Sequence, residues 1–588
     1  MAGALSRDAY LQALGSGLYV KGGSLRREGD DAWAVSVERS IPDIESDRTI
    51  RRTDRFVVVT TDRIFQSIGC QKHVSPSGRR CVVFSEEVAE IFEDGTRVAR
   101  HEFPHGKIVE HGTIGGVSWS PDESQIAYVA DNHKPAKTKE WGYDDFLHRE
   151  DFGEKLEGVV EPCVFVLSLD SCRRASEPPS GMPAFGPSLA YVKFPRGLGI
   201  TYCANRPLGV QVEGAEFYEN ASSPRWSRDG RLATIRSDFH THDGPSFIVV
   251  GDWRSEPLFG VSMPTFGYAN ALRGSTPWMA KFPPLEWLGP GKLLGADDDG
   301  ALLVHDQAPD NPGTVRLDAL ELPVGPISRV AVETTTEVLE VEVERGDAFL
   351  LRSKNRLQQQ QPLVVFVHGG PHSVSRREYY APWTFLATQG YGVLVVNYRG
   401  SIGFGDLNSL PGNIGEIDVC DVVSATRAAL DQYPLDPDRV AVVGGSHGGF
   451  ISAHLVARHP DLYKVAAMRN PVTNLVSMIS ATDIPDWVHV EGLGVVERTT
   501  RVLSSEDDVR ELWARSPLTT VARVRAPTLV AVGLKDRRVP PSQGFEYYHA
   551  LTATKRLLTY PEDDHAIDRP KSSADFWLNT LAWVNTHL

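Results

Sequence analysis

The chain is poor in cysteine, lacks long apolar runs and has fewer basic than acidic residues. Its six cysteines are scattered over 588 residues and form no CxxC pair, which argues against a disulfide framework or a zinc half-site. No run of about 18 apolar residues occurs, and Arg7 and Asp8 interrupt the N-terminal stretch, so we expect neither a membrane span nor a signal peptide. The 61 Lys and Arg against 76 Asp and Glu give a net charge of −15, so we expect neither nucleic acid nor a membrane as a partner. These absences favour a cytoplasmic protein.

The composition that remains is globular. Hydrophobic residues make up 41% and charged residues 23%, which excludes wholesale disorder, collagen and coiled coil. At roughly 100–200 residues per domain, a chain of this length predicts two to four domains. The pattern of predicted secondary structure changes near residue 335, and we place a domain boundary there.

Before residue 335, short runs rich in Val, Ile, Phe and Tyr alternate with clusters of Gly, Pro, Asp and Ser, which predicts many short antiparallel strands. A weak repeat places a turn at Ser75, Ser120 and Ser227, each time just before an alternating apolar strand. The spacings fit about one blade and about two to three blades of a four-stranded propeller. The pattern therefore favours a β-propeller, with a series of β-sandwich strands as the alternative.

After residue 335, strands alternate with helical stretches, which predicts a doubly wound and mostly parallel sheet. A crossover helix is expected between residues 416 and 432, and a closing helix from about residue 571. The predicted strands are residues 362–368, 391–397, 439–445, 527–533 and 555–560.

The sequence GGSHGG, residues 444–449, carries the strongest chemical signal. It fits G-x-S-x-G, in which a sharp turn between a strand and a helix exposes the serine, here Ser446. A side chain in place of the glycines would collide with the neighbouring strand and helix. Alone the pentapeptide carries little weight, but a buried strand precedes it and an apolar helical stretch follows it. We therefore interpret Ser446 as the nucleophile of a hydrolase.

A serine hydroxyl needs a base, and the base needs an orienting acid. In the hydrolase order the acid and then the histidine follow later strands, and Asp536 and His565 occupy those places. The alternatives are a surface turn acid and a solvated loop histidine.

The sequence HGGP, residues 368–371, follows the first long strand and is typical of an oxyanion loop. The backbone N–H of Gly370 and that of His447 are the predicted oxyanion donors. The alternative for this loop is a plain tight turn.

Two further groups of residues resemble binding sites. His240 and His242 resemble a metal pair but have no third ligand nearby, so solvated side chains are favoured and no metal is expected. Glu86 and Glu87 could bind a free amino terminus, but a solvated strand end is favoured.

With these residues in place, the chain resembles the acylaminoacyl peptidases of the prolyl oligopeptidase family of serine peptidases. The stretches that carry the resemblance span most of residues 362–588. Given with the first residue of each, they are HGGPHS (His368), VNYRGSIGFGD (Val396), SLPGNIGEIDVCDV (Ser409), GGSHGGFISAHL (Gly444), RNPVTNLVSM (Arg469), ATDIPDW (Ala481) and DRRVP (Asp536). Before residue 335 the resemblance is weaker and rests on two stretches, VSWSPDESQIAYVAD and GITYCANRP.

The resemblance implies an α/β-hydrolase catalytic domain plus an N-terminal all-β propeller domain. Residues 1–48 would be an N-terminal segment with a short helix at residues 8–14 packing on the hydrolase, residues 49–335 the propeller, and residues 336–588 the peptidase domain. It implies Ser446, Asp536 and His565 as the catalytic triad. It also implies that Arg538 binds substrate, the alternative being a structural salt bridge. The number of blades stays open.

The activity implied is that of a cytoplasmic serine exopeptidase that releases an N-acylated, typically N-acetylated, amino acid from a short blocked peptide. No cofactor is expected. The protein is expected to form a homodimer or a homotetramer. Two alternatives use the same scaffold, an oligopeptide endopeptidase or dipeptidyl peptidase and a carboxylesterase. A third, more distant, is a non-catalytic propeller scaffold.

Overall fold

The architecture is described from a computed structural model. It describes most of residues 72–132, 151–194 and 336–588 and, elsewhere, chiefly strands. Several predictions concern positions outside the described residues, namely the helix at residues 8–14, the stretch at residues 199–207, and Glu86, Glu87, Ser227, His240 and His242.

Before residue 336, the described backbone forms antiparallel sheets whose strands follow chain order. The first sheet has the strands β1 (Tyr19–Arg27), β2 (Trp33–Asp43) and β3 (Arg48–Val58). Five sheets of four strands follow, with the strands β4 (Lys72–Val74), β5 (Arg80–Phe84), β6 (Val88–Glu93), β7 (Thr96–Glu102), β8 (Val117–Trp119), β9 (Ile126–Asp131), β10 (Pro162–Leu167), β11 (Cys172–Arg174), β12 (Ser180–Phe185), β13 (Leu189–Lys193), β14 (Gly209–Val212), β15 (Phe217–Glu219), β16 (Ala221–Trp226), β17 (Leu232–Ser237), β18 (Ser246–Val250), β19 (Trp253–Arg254), β20 (Glu286–Gly289), β21 (Lys292–Ala296), β22 (Leu302–Asp306) and β23 (Gly313–Arg316). The predicted short antiparallel strands are confirmed, and the first sheet spans the predicted boundary between residues 48 and 49.

Two members of the predicted repeat form the same turn. The backbone N–H of Ser75 donates to the carbonyl of Arg80 at 2.8 Å, and that of Ser120 donates to Gln125 at 2.9 Å. Each seryl Oγ accepts a hydrogen bond from the N–H of the same partner, at 3.2 Å from Arg80 and 2.9 Å from Gln125. The hydroxyl closes the turn because it satisfies a backbone donor that the next strand would otherwise leave unpaired. The predicted turn before a strand is confirmed at both positions.

From residue 336 the chain forms one eight-stranded sheet. Its strands are β24 (Thr336–Val341), β25 (Asp347–Ser353), β26 (Gln361–Val367), β27 (Gly392–Asn397), β28 (Leu435–Gly445), β29 (Val465–Arg469), β30 (Thr528–Gly533) and β31 (Lys555–Tyr560). They lie in the order β24-β25-β27-β26-β28-β29-β30-β31, with antiparallel pairing up to β27 and parallel pairing beyond it. The predicted mostly parallel sheet is confirmed.

Helices cover both faces of this sheet. They are α1 (Ala381–Thr388), α2 (Ile417–Gln432), α3 (His447–Arg458), α4 (Leu475–Ala481), α5 (Pro485–Trp487), α6 (Glu506–Arg515), α7 (Pro541–Ala550) and α8 (Pro570–His587), with a π-helical turn at Val488–Gly492 and a 3₁₀ segment at Pro517–Arg523. None of the helices in the described part of the chain has the length and apolar character needed to cross a membrane.

Strand β26 shows why the central strands are apolar throughout. Leu363, Val365 and Val367 pack with α2 and α3 on one face, whereas Val364 packs with α1 and α8 on the other. Parallel strands covered by helices on both faces expose neither side to water, so alternation of polar and apolar residues disappears. The carboxyl ends of the parallel strands meet at one edge, where loops can bring distant residues together.

Candidate active site

Ser446 lies between the end of β28 and the start of α3, in the predicted strand–turn–helix context. Its backbone has φ 59° and ψ −123°, a conformation that residues with a Cβ rarely adopt. Such a conformation costs on the order of 1–3 kcal/mol and persists only where the surroundings enforce it. Here the N–H of Ser446 is held by the carbonyl of Arg469 at 2.9 Å. The strained turn is a property of the position, as the sequence predicts.

The glycines around Ser446 are required by close packing. A Cβ added to Gly448 would lie 2.1 Å from the carbonyl oxygen of Val367, and one added to Gly444 would lie 2.2 Å from that of Gly448. Neither contact can be relieved by a side-chain movement because both partners are backbone atoms. The predicted collision with the neighbouring strand and helix is confirmed.

Asp536 and His565 lie in the loops after β30 and β31 and are hydrogen-bonded. The imidazole Nδ1 of His565 is 2.7 Å from Oδ2 of Asp536, whose side chain is fully buried. The other carboxylate oxygen, Oδ1, accepts the backbone N–H groups of Arg538 at 2.9 Å and Val539 at 2.8 Å. The two backbone N–H groups thus fix the carboxylate, so it can hold one edge of the imidazole in place.

The segment after β29 joins the elbow to the histidine loop. Arg469, which accepts the N–H of Ser446, donates from Nη1 to the carbonyl of Ala566 at 2.7 Å. The next residue, Asn470, donates from Nδ2 to the carbonyl of His565 at 2.9 Å. Two adjacent residues therefore tie the turn of Ser446 to the backbone of the histidine and of the residue that follows it.

The HGGP loop packs against Ser446, as expected for an oxyanion loop. A Cβ on Gly369 would lie 3.1 Å from the Cβ of Ser446, so a side chain there would crowd the serine. Gly370 has φ +121° and would place a Cβ 2.9 Å from the N of His372, and its carbonyl accepts Nε1–H of Trp487 at 2.8 Å. Glycine is therefore needed at Gly370, and Gly369 leaves little room for a side chain.

His447 is the first residue of α3, where backbone N–H groups have no partner within the helix. Its imidazole Nε2 is 2.8 Å from Oδ2 of Asp418, and both side chains are fully buried. Oδ1 of Asp418 accepts the N–H groups of Gly415 and Val419 at 2.8 and 2.9 Å. The buried pair fixes the first residue of the helix. Asp418 lies in the stretch SLPGNIGEIDVCDV, but nothing in that stretch indicates that its partner is the histidine directly after the serine.

Arg538 is engaged in a buried ion pair. Its Nε and Nη2 lie 2.8 and 3.2 Å from the two carboxylate oxygens of Asp483, whose side chain is 3% exposed. This contact is the structural salt bridge that is the alternative to substrate binding. Burial raises the pKa of Asp483, but the charge and hydrogen bond of Arg538, the N–H of Glu154 and the charge of His565 together hold it below its ordinary value.

The segment of residues 151–158, between β9 and β10, lies against these same loops. The Glu154 carboxylate accepts backbone N–H groups from Arg537, Arg538 and His565. No motif in the sequence marks Glu154, because its partners lie more than 380 positions away, and pairings over such distances leave no local pattern.

Opposing influences set the protonation of His565. Burial lowers its pKa, whereas the charge and hydrogen bond of Asp536 and the charge of Glu154 raise it, and the net pKa lies above the ordinary value. A histidine base must be neutral to accept a proton, so its acid form is the inactive one.

We therefore expect kcat/KM to fall toward acid pH with a midpoint above about 6.5, the ordinary histidine value. The measurement is the pH dependence of kcat/KM for an acetyl-peptide and for a small ester. A profile that stays flat from about pH 5 to about pH 8 would exclude a histidine base.

The site and the fold together define a class of enzyme. A mostly parallel sheet with a serine elbow after a central strand, and an acid and a histidine after later strands, is the arrangement of the α/β-hydrolases. Residues 378–588 match the model of the prolyl oligopeptidase family.

Similar proteins support the same family. The acylamino-acid-releasing enzyme of Sus scrofa is 31% identical, over 82% of this chain and 81% of that protein. The enzyme of the same name from Arabidopsis thaliana is 28% identical, over 87% of this chain and 86% of that protein. The structure of Pyrococcus horikoshii acylaminoacyl peptidase shares the fold, with a TM-score of 0.71 at 15% identity, covering 97% of this chain and 96% of that one. The chain belongs to the prolyl oligopeptidase family, within the group of the acylamino-acid-releasing enzymes.

Proposed function

We propose that this chain is a serine exopeptidase that hydrolyses the first peptide bond of short N-acylated peptides and releases the N-acylamino acid. The observation that carries the proposal is the Asp536–His565 hydrogen bond of 2.7 Å in loops tied to the elbow of Ser446. The substrate class comes from the names of the relatives in Sus scrofa and Arabidopsis thaliana.

In the proposed mechanism, Oγ of Ser446 attacks the carbonyl carbon of the acylamino acid while His565 accepts the hydroxyl proton. Asp536 holds the imidazole with its proton on Nδ1 and stabilises the imidazolium that forms. The protonated His565 then donates to the nitrogen of the leaving peptide, and the C–N bond breaks. Water, activated by the same imidazole, hydrolyses the acyl-enzyme, and Ser446 regains its proton.

The proposed oxyanion donors are the backbone N–H groups of Gly370 and His447. Donors of this type lower the barrier because they face the charge that develops on the carbonyl oxygen. The support for them is the packing of the HGGP loop against Ser446 and the place of His447 at the start of α3. In this mechanism the chemistry needs no cofactor.

Mass spectrometry of products from paired peptides tests the proposal. Each sequence is supplied once with an acetylated and once with a free amino terminus. The proposed activity releases the acetyl-amino acid from the first peptide and leaves the second intact. An internal cut would indicate an endopeptidase, and a dipeptide released from the free peptide a dipeptidyl peptidase.

Arg538 is proposed to bind a substrate carbonyl in addition to pairing with Asp483. We expect Arg538→Ala to lower kcat/KM on acetyl-peptides by about 1.5–3 kcal/mol, the range for hydrogen bonds to charged groups. Small esters lacking that carbonyl should be hydrolysed almost normally. The variant should also lower Tm, because it leaves the buried Asp483 carboxylate unpaired. Equal losses on both substrates would leave Arg538 only its structural role.

The antiparallel sheets before residue 336 are proposed to form a β-propeller that restricts access to the site. Strands of successive sheets contact each other: β12 with β8, β9 and β10, β16 with β12, β13 and β14, and β20 with β16. Contact between β20 and β1 supports closure into a ring. The divisions into residues 1–48, 49–335 and 336–588 are part of this proposal, although the first sheet, β1 to β3, has strands on both sides of the boundary between residues 48 and 49.

A cytoplasmic location and a homodimer or homotetramer complete the proposal. The free thiols of the described Cys81, Cys163, Cys172 and Cys420 suit a reducing compartment. Val509 and Trp513 lie four residues apart on α6 and are 37% and 45% exposed, which supports an apolar contact with a second copy.

A further inference from the structure

A carboxylate from the N-terminal half of the chain joins the two loops that carry the acid and the histidine. Glu154 is 7% exposed, and its Oε1 accepts the backbone N–H of His565 at 3.1 Å. Its Oε2 accepts the N–H of Arg537 at 2.9 Å and that of Arg538 at 3.3 Å. One side chain thus fixes the backbone of the histidine itself and of both residues that follow Asp536.

The segment that delivers Glu154 is held on both sides. Asp151 forms a two-point ion pair with the guanidinium of Arg537, with contacts of 2.9 and 2.8 Å. The backbone N–H of Glu154 donates to Oδ2 of Asp483 at 2.9 Å. A Cβ on Gly153 would lie 2.7 Å from that same oxygen, so only glycine permits this close approach. The position of Glu154 is therefore determined by the contacts of its own backbone and neighbours.

The charges around Glu154 make its ionisation sensitive to the state of the site. Burial raises its pKa to about 7, with His565 and Arg538 opposing the rise and Asp536 and Asp564 adding to it. Asp151, Glu157, Asp483 and Arg537 are further charged groups in or against the segment. A buried carboxylate is costly unless it is paired and hydrogen-bonded, and three backbone donors supply that compensation here.

We propose that Glu154 is a positioning residue of the active site, which aligns the loops of Asp536 and His565 and stabilises the imidazolium that forms during the reaction. The inference rests on the proposed function in one respect, that His565 is the base for Ser446. Glu154 contacts no reacting atom; it acts through the backbone of His565 and through its charge. Its carboxylate supplements that of Asp536 whenever the ring carries two protons.

The test compares Glu154→Gln with Glu157→Gln, a matched change at an exposed glutamate of the same segment. The readout is the rate constant with which a fluorophosphonate labels Ser446, measured against pH, together with Tm. An amide has one acceptor oxygen and no charge, so it cannot accept from both loops. We expect Glu154→Gln to lower the rate constant at neutral pH by about 10- to 100-fold, the range for hydrogen bonds to charged groups.

The acid limb of the labelling profile separates positioning from a general structural role. Removing the carboxylate charge lowers the pKa of His565, so the limb in Glu154→Gln should move to lower pH. Glu157→Gln should change neither the rate constant nor the limb. The inference is overturned if Glu154→Gln labels at the wild-type rate, or if its loss follows a fall in Tm while the limb stays in place. Wild-type protein that is not labelled at Ser446 would overturn the proposed function itself.

Discussion

Replacing Ser446 with alanine is expected to abolish hydrolysis of both acetyl-peptides and small esters. The variant removes the only protein atom in this mechanism that forms a covalent bond with the carbonyl carbon of the substrate, so both classes of substrate lose the same step. Loss of the nucleophile from a serine, histidine and aspartate site lowers kcat by about a million-fold. A fluorophosphonate should label the wild-type protein at Ser446 and leave the variant unmodified.

The backbone at Ser446 provides a control for folding. Alanine carries a Cβ and keeps the strain of φ 59°, so Ser446→Ala should unfold at nearly the wild-type Tm. Glycine adopts this conformation freely, so Ser446→Gly should be inactive yet about as stable or more stable, since strain of roughly 1–3 kcal/mol is relieved against a smaller entropic cost. Full turnover in either folded variant, or labelling at another serine, would show that Ser446 is not the nucleophile.

How far the sequence predicts the site depends on how local each signal is. The elbow is recognisable because its requirements lie within six residues: two glycines without room for a Cβ, a serine and the start of a helix. Asp536 and His565 are predictable because parallel strands deliver their following loops to one edge in chain order. The roles of all three stay predictions, whereas their structural contexts are confirmed.

The elements that the sequence did not reveal are those decided by distant contacts. Strand β29, Val465–Arg469, is only five residues long, and its pairing with β28 and β30 defines it. Asp418, Asp483 and Glu154 are ordinary acids in sequence. Their importance comes from partners in other loops, and no spacing along the chain encodes those pairings.

The same contacts change how Arg538 is understood. Its position two residues after Asp536 predicts a place beside the site, which is where the structure puts it. Its partner, Asp483, also receives the N–H of Glu154, so one carboxylate joins an arginine next to the acid and a segment from the N-terminal half. A substitution at Arg538 therefore disturbs the docking of that segment as well as any substrate contact, which is why Tm must be measured with kinetics.

Asp536→Asn is expected to produce the second largest loss, about 10⁴-fold in kcat, because it presents the wrong tautomer of the imidazole. In the native site, Oδ1 of Asp536 accepts two backbone N–H groups and Oδ2 accepts Nδ1–H of His565. An asparagine has only one acceptor oxygen to serve both sides. The amide nitrogen must face either the backbone N–H groups or His565, and that partner then meets a donor in place of an acceptor.

The backbone donors decide the orientation of that amide. Turning its nitrogen toward the N–H groups of Arg538 and Val539 would leave two buried donors unpaired, at about 1–3 kcal/mol each. Turning it toward His565 costs less, because the ring can move its proton from Nδ1 to Nε2, and Nδ1 then accepts a hydrogen bond from the amide. The ring then presents Nε2–H to Ser446 and cannot accept the hydroxyl proton, so the variant stays folded but loses its base.

Steady-state kinetics of Asp536→Asn on an acetyl-peptide tests this argument, with Asp568→Asn, the same change at an exposed acid of the histidine loop, as the matched control. The control should keep wild-type activity. A loss smaller than about tenfold in Asp536→Asn would mean that this carboxylate does not orient the ring. The double variant with Ser446→Ala should be no less active than Ser446→Ala alone, because the acid acts only through a histidine that serves the serine. A further loss in the double variant would assign Asp536 a separate role in binding or stability.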